Sequence, residues 1–111
     1  MTMTPAATPL DMDRYRAAAR ICRALTDPKR LALLALLRDG ERSAGALAGA
    51  LGCPLPNASQ HLAVLRRAGL VVARRDGTSI LYRLAAPEIL DACDTVSRLA
   101  EARRGTAVGG A

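Results

Sequence analysis

The residues able to do chemistry in this 111-residue chain are few and unevenly placed. Lys29 is the only lysine, so 15 of the 16 cations are arginines, whose planar forks suit phosphates and guanine edges. Asn57 and Gln60 carry amides that can pair bidentately with adenine in a major groove. Ser59 and Thr78 add hydroxyls of the kind that bond phosphate oxygens. Cys22, Cys53 and Cys93 stand at wide spacings with no C-x-x-C, and His61 is the single histidine. That pattern argues against a disulfide framework or a zinc finger. An enzyme fares poorly too, without paired carboxylates at catalytic spacing or a glycine-rich phosphate loop.

The charge is concentrated. Residues 1–53 carry a net +3, residues 54–84 a net +4, and residues 85–111 a net −1. A solvated surface would account for the surplus alone, but a local maximum in a basic chain also fits a nucleic-acid footprint. Half of the residues are hydrophobic, yet Tyr15 and Tyr82 are the only aromatics, so the core must be built from Leu, Ala, Val and Ile. The slightly positive mean hydropathy leaves apolar surface for self-association to cover. The longest wholly apolar run, Leu31 to Leu37, is seven residues, against the roughly 20 a membrane span needs. A soluble chain in a reducing, cytoplasmic setting is expected, with no membrane partner.

The elements that must position these residues are readable in order. Residues 1–8 and 105–111 are expected to be disordered tails around one domain, 9–104. Thr8-Pro9-Leu10-Asp11 predicts a helix start, and that helix should run to about Leu25. Asp27-Pro28 starts a second helix that Gly40 stops. Ser43 opens a short third, ended by Gly52. A fourth, from about Pro54 to Ala68, places Ala58, Leu62 and Leu65 on one face and Asn57, Gln60, Val64 and Arg67 on the other. Leu70–Arg74 and Ile80–Leu84 read as strands around an Asp76-Gly77 turn. A last helix begins near Pro87.

Two apolar stripes are left over. Tyr15, Ala18, Cys22 and Leu25 repeat along the first helix; Ile89, Cys93, Val96 and Ala100 repeat along the last. Tyr15, Ala18, Cys22, Ile89, Cys93 and Val96 are therefore the candidate dimer-interface residues.

A short third helix, a glycine turn, a fourth helix with a free polar face and a basic hairpin behind it make a winged helix-turn-helix, mainly α with a small β-hairpin. From Ala24 to Leu84 the chain resembles the ArsR/SmtB family of small dimeric bacterial repressors. The matching phrases are Ala24-Leu25-Thr26-Asp27-Pro28-Lys29-Arg30-Leu31, Leu47-Ala48-Gly49-Ala50-Leu51-Gly52, Ser59-Gln60-His61-Leu62-Ala63-Val64-Leu65, Ala68-Gly69-Leu70-Val71, and Arg74-Arg75-Asp76-Gly77 leading to Leu81-Tyr82-Arg83-Leu84. The resemblance implies a homodimer held by the first and last helices, sitting on an imperfect palindrome of double-stranded operator DNA until an inducer releases it. The candidate DNA-binding residues are Asn57, Ser59, Gln60, His61 and Arg67 on the fourth helix, with Arg74, Arg75 and Thr78 on the wing. A solvated polar face, a structural histidine and charged guarding of an edge hairpin are the competing readings.

The sensor is where the chain departs from the family. The family's Cys-x-Cys metal site falls here on Ser43 and Gly45, and the ligands of its other site fall on Ala86, Glu88, Leu99 and Ala102. No cofactor is expected, and the usual metal sites are missing. A thiol pair used elsewhere in the family for persulfide or oxidant falls on Ala35 and near Glu101. Cys22 and Cys93, on the two apolar stripes, are left as sensor candidates, with two small buried hydrophobes as the competing reading. A soft ion or arsenite held by cysteine thiolates stays open, as does a winged-helix module that antagonises another regulator.

Overall fold

The computed structural model describes residues 9–110, with side chains through Arg104. Helix α1 spans Met12–Ala24 and α2 spans Pro28–Leu36; β1 (Arg42–Ser43) leads into α3 (Ala44–Leu51) and α4 (Leu55–Arg67). Strands β2 (Val71–Asp76) and β3 (Ser79–Leu84) then precede α5 (Glu88–Gly110).

Local chemistry accounts for most of the boundaries. Asp27 caps α2 by accepting the Lys29 amide at 2.7 Å, and Pro28 occupies the first turn, where its missing N–H costs nothing. Ser43 caps α3 by accepting the Ala46 amide at 3.1 Å. Gly52 ends α3 in the left-handed region (φ 67°), which only glycine enters without steric cost, and the Cys53 amide then reaches back to the Ala48 carbonyl at 3.1 Å. This reversal turns the chain directly into α4.

Three helix boundaries differ from expectation. α1 starts at Asp11 rather than at Thr8-Pro9, because the Asp11 carboxylate accepts the Arg14 amide at 3.2 Å and complements the helix dipole. α2 ends at Leu37 instead of Gly40, its last carbonyls already taken by the Leu37 and Arg38 amides. α5 continues to Gly110, past the expected end at 104, since glycine lowers helix stability by about 1 kcal/mol without forbidding the helix and no proline stops it. The wing is also more than a hairpin. Strand β1 pairs antiparallel with β3, giving the order β1-β3-β2, with Arg42 opposite Tyr82 and Ser43 opposite Leu81. The expected 1–8 tail lies outside the described residues.

Asp76 pairs with Ser79, so the wing turn is the two-residue loop Gly77-Thr78, and Gly77 supplies the positive φ (61°) that such a tight turn needs. The core is aliphatic, as composition required: Leu33, Leu34, Leu37, Leu47, Leu62, Leu65 and Val71 are essentially sealed, and Tyr82 only packs against its edge. α2, α3, α4 and the root of the wing thus form one body. α5 is tied to it by Ile89 and Cys93 and by a two-pronged Arg38–Asp94 ion pair at 2.9 and 3.3 Å. α1 is the exception, a 13-residue helix in which only Ala24 is buried.

Candidate nucleic-acid interface

The inner stripe of α4, Ala58, Leu62 and Leu65, is completely buried, which fixes the rotation of the helix about its own axis. Asn57, Gln60 and Arg67 are consequently exposed on the outer face, as the sequence predicts, with Val64 half-buried between them. Pro54 and Pro56 at the start of α4 remove two amides that would otherwise need partners, and no side chain caps the helix. Ser59 is half-buried. It lines a cleft of about 380 Å3 between α3, α4 and the wing, together with Ser43, Leu55, Thr78, Ile80 and Tyr82.

Two of the expected DNA-contacting residues are committed elsewhere. Arg74 makes a two-pronged ion pair with Glu41 at 2.7 and 2.8 Å, bracing the root of the wing against the segment that precedes β1. That guanidinium hydrogen bond outweighs partial burial and holds the Glu41 carboxyl below its usual range. Arg74 is therefore a strut. Arg75 and Thr78, nearer the tip, are exposed, and no ion pair holds Arg75 among the described residues.

His61 is drawn inward. Its Nδ1 faces Arg30 Nη1 at 3.2 Å and its Nε2 lies 3.9 Å from Asp27. Arg30 also donates to the Ala24 carbonyl at 2.6 Å and the Arg23 carbonyl at 3.4 Å, so one guanidinium joins the C-terminus of α1 to α4. For Asp27, burial raises the carboxyl, but the Lys29 amide and the neighbouring His61 and Arg30 together bring it below its usual value. His61 is thus held between Arg30 and Asp27 and turned away from the outer face of α4 that carries Asn57 and Gln60.

Sequence reasoning passed over Leu55, which is 49% exposed in the first turn of α4 beside the wing, and Arg20 and Arg23 of α1, which line a groove with Arg67. The signal for Leu55 was an apolar residue off the buried stripe; for the arginines it was their three-residue spacing on α1.

The second candidate surface is apolar. On α1, Tyr15 is 49% exposed and Ala18 and Cys22 are also exposed, in line with Leu10, Met12 and Ile21. On α5 the expected stripe divides. Ile89 packs on the core and Cys93 belongs to it, whereas Val96 and Leu99 stand 51% and 53% exposed. The stripe is one face of one helix, but the body beneath it ends before Val96. Leu99 therefore replaces Ile89 and Cys93 in the exposed set.

The comparisons with known proteins bear on this arrangement of a short helix, a recognition helix and a braced wing. A family model described as a helix-turn-helix domain matches residues 25–74. The uncharacterized HTH-type transcriptional regulator Rv0081 of Mycobacterium tuberculosis is 44% identical over 78 residues, covering 69% of this chain and 68% of that protein. The HTH-type transcriptional repressor SmtB of the same organism is 45% identical over 69 residues, 62% of this chain and 51% of that one. Among solved structures, the homodimeric winged helix-turn-helix DNA-binding domain of Mb0332 from Mycobacterium bovis, a possible ArsR-family regulator, matches with a TM-score of 0.75 at 37% identity, covering 86% of this chain and 91% of that one. The chain belongs to the ArsR/SmtB family.

Membership makes this a chain from a family of transcriptional regulators rather than enzymes. Against the ArsR/SmtB pattern, Ser43 at the first thiolate position uses its oxygen to cap α3. Among the described residues no group of three or more His, Cys, Asp or Glu is placed to hold a metal ion. All three cysteines are free, and their surroundings differ: Cys22 is exposed, Cys53 half-buried and Cys93 buried. Burial, and next the adjacent Asp94 charge, push the Cys93 thiol up, which makes it a poor nucleophile. Among the described residues no helix is long and apolar enough to cross a membrane.

Proposed function

We propose that this protein is a homodimeric, sequence-specific transcriptional regulator of the repressor type, acting in the cytoplasm on double-stranded operator DNA. The observation that carries the reading is the fixed rotation of α4, with one stripe sealed in the core and the amides of Asn57 and Gln60 held outward. Each amide has the donor and acceptor needed for the N6/N7 edge of adenine. Ser59, Arg75, Thr78 and Arg67 border that face and supply contacts to the sugar–phosphate backbone, which set register without reading sequence.

Dimerisation through α1 and the outer half of α5 is supported by the exposed Tyr15, Ile21, Val96 and Leu99 and by the sparse packing of α1 within its own chain. The homodimeric state of the Mb0332 domain agrees with it. A two-fold axis then presents two copies of α4 to two half-sites. Free thiols and a nucleic-acid partner support the cytoplasmic assignment.

Selection of bound fragments from a random duplex library by the purified protein tests the reading. An imperfect palindrome with two equivalent half-sites is expected. Recovery of unrelated sequences, bound no better than the starting pool, would overturn it.

A further inference from the structure

Helix α1 has two different long faces. At about 100° per residue, Tyr15, Ala18, Cys22 and Leu25 share one side, while Arg16, Arg20 and Arg23 fall roughly opposite. Arg16 is engaged by Asp13 at 3.0 Å. Arg20 and Arg23 are exposed and have no carboxylate partner among the described residues. They line an open groove of about 350 Å3 with Ala24, Val64, Arg67 and Ala68. Three guanidinium side chains from two helices thus surround a floor of small apolar groups, with no acidic residue among those lining it.

The groove continues the outer face of α4. Asn57, Gln60, Val64 and Arg67 follow one another on a single helix face, and Asn57 to Arg67 spans about 15 Å at 1.5 Å per residue. The major groove is only about 12 Å wide. With Asn57 and Gln60, in the first half of α4, on base edges, an α4 that crosses the groove carries its C-terminal end over a bordering phosphodiester strand and brings the α1 arginines with it. Forked, weakly hydrated cations over an apolar floor suit phosphate oxygens.

We propose that Arg20 and Arg23, with Arg67, form a phosphate grip on the DNA strand bordering the major groove, so that α1 contacts DNA with one face while its other face meets the partner subunit. This rests on the DNA-reading assignment of α4 and adds a contact outside both recognition helix and wing.

The test compares the parent with Arg20→Gln/Arg23→Gln and Arg20→Lys/Arg23→Lys, using fluorescence anisotropy on the selected operator and on an unrelated duplex across a salt series. Loss of one phosphate contact per protomer lowers the log Kd against log salt slope by about 0.9, or about 1.8 for the two copies in a dimer. Over a fourfold change in salt that amounts to roughly a 12-fold change in the ratio of variant to parent affinity. The glutamine pair is expected to weaken both duplexes equally, leaving their ratio unchanged, and the lysine pair to retain most of the slope.

Sedimentation of each variant accompanies the titrations. An unchanged slope in a glutamine variant that still binds the operator overturns the grip alone, as does a loss that tracks weakened self-association. A parent that prefers no duplex over another instead overturns the DNA-reading assignment beneath it.

Discussion

Replacing Val96 by Glu is expected to separate the dimer. Val96 is 51% exposed within its own chain, so about half of the side chain is left for a partner to cover. Full burial of a valine is worth roughly 1.5 kcal/mol, which gives about 0.7 kcal/mol per copy and, by two-fold symmetry, about 1.5 kcal/mol per dimer. Val96→Ala should therefore raise the dimer Kd by about tenfold at most. The carboxylate adds desolvation of an unpaired charge on each subunit, and even about 2 kcal/mol per copy brings the total above 5 kcal/mol, more than three decades in Kd.

A spectroscopic signature should accompany dissociation. Helices shorter than about 12–15 residues are marginal on their own in water, and α1, with 13 residues, buries only Ala24 in its own chain. The dissociated variant should lose the helical signal of α1 while the α2–α4 body keeps its cooperative melt. Sedimentation velocity and far-UV circular dichroism across a concentration series measure both effects. A Val96→Glu protein that sediments as the parent does, with undiminished helicity, would refute the placement of the interface on this part of α5.

Gln60→Ala should change which operator variants are preferred, whereas Arg75→Ala should weaken all duplexes and flatten the salt slope by about 0.9 per protomer; equal slopes for parent and Arg75→Ala remove the wing tip from the contacts. In the dissociated Val96→Glu protein, where no partner covers α1, timed alkylation read by mass spectrometry should modify Cys22 first and Cys93 last, and early labelling of Cys93 would contradict its burial and raised thiol pKa. Acid should destabilise the fold. Arg38 holds Asp94 down, Arg74 holds Glu41 down, and Asp27 is lowered by its amide and cationic neighbours against the effect of burial, so each folded carboxyl binds its proton less readily than the unfolded one. The stability they contribute is present above the ordinary carboxylate range of about 4 and is lost as pH falls through the lower folded values. Asp94→Asn should make the acid limb of a melting-temperature profile shallower, and an unaltered limb would discount the α2–α5 ion pair.

Much of the fold was legible because its signals are local. Asp27-Pro28, Ser43 and Gly52 announce themselves through capping and left-handed backbone, and the alternation on α4 separates buried Leu62 from exposed Gln60 within three residues. The features that escaped notice join distant segments. Nothing near Arg74 indicates that Glu41, 33 residues earlier, will engage it, and nothing near His61 indicates Arg30, 31 residues earlier. Strand β1 is two residues long, too short to show a period, and exists because β3 offers it an edge. The divided stripe on α5 reflects where the body ends beneath the helix, a length that periodicity does not encode. Exposure was thus readable where it depends on a residue's own helix, as at Asn57 and Gln60, and not where a remote partner decides the placement.

The nearly aromatic-free core has a practical corollary. With no tryptophan and only two tyrosines in the chain, every near-ultraviolet tyrosine signal comes from Tyr15 or Tyr82. Tyr15 stands exposed on α1, and Tyr82 lies in the central strand of the wing sheet, lining the cleft beside α4. The molecule therefore carries one built-in optical reporter at each of its two surfaces. Substituting either tyrosine by phenylalanine leaves a label-free probe of a single event, subunit association in one case and engagement of the wing in the other.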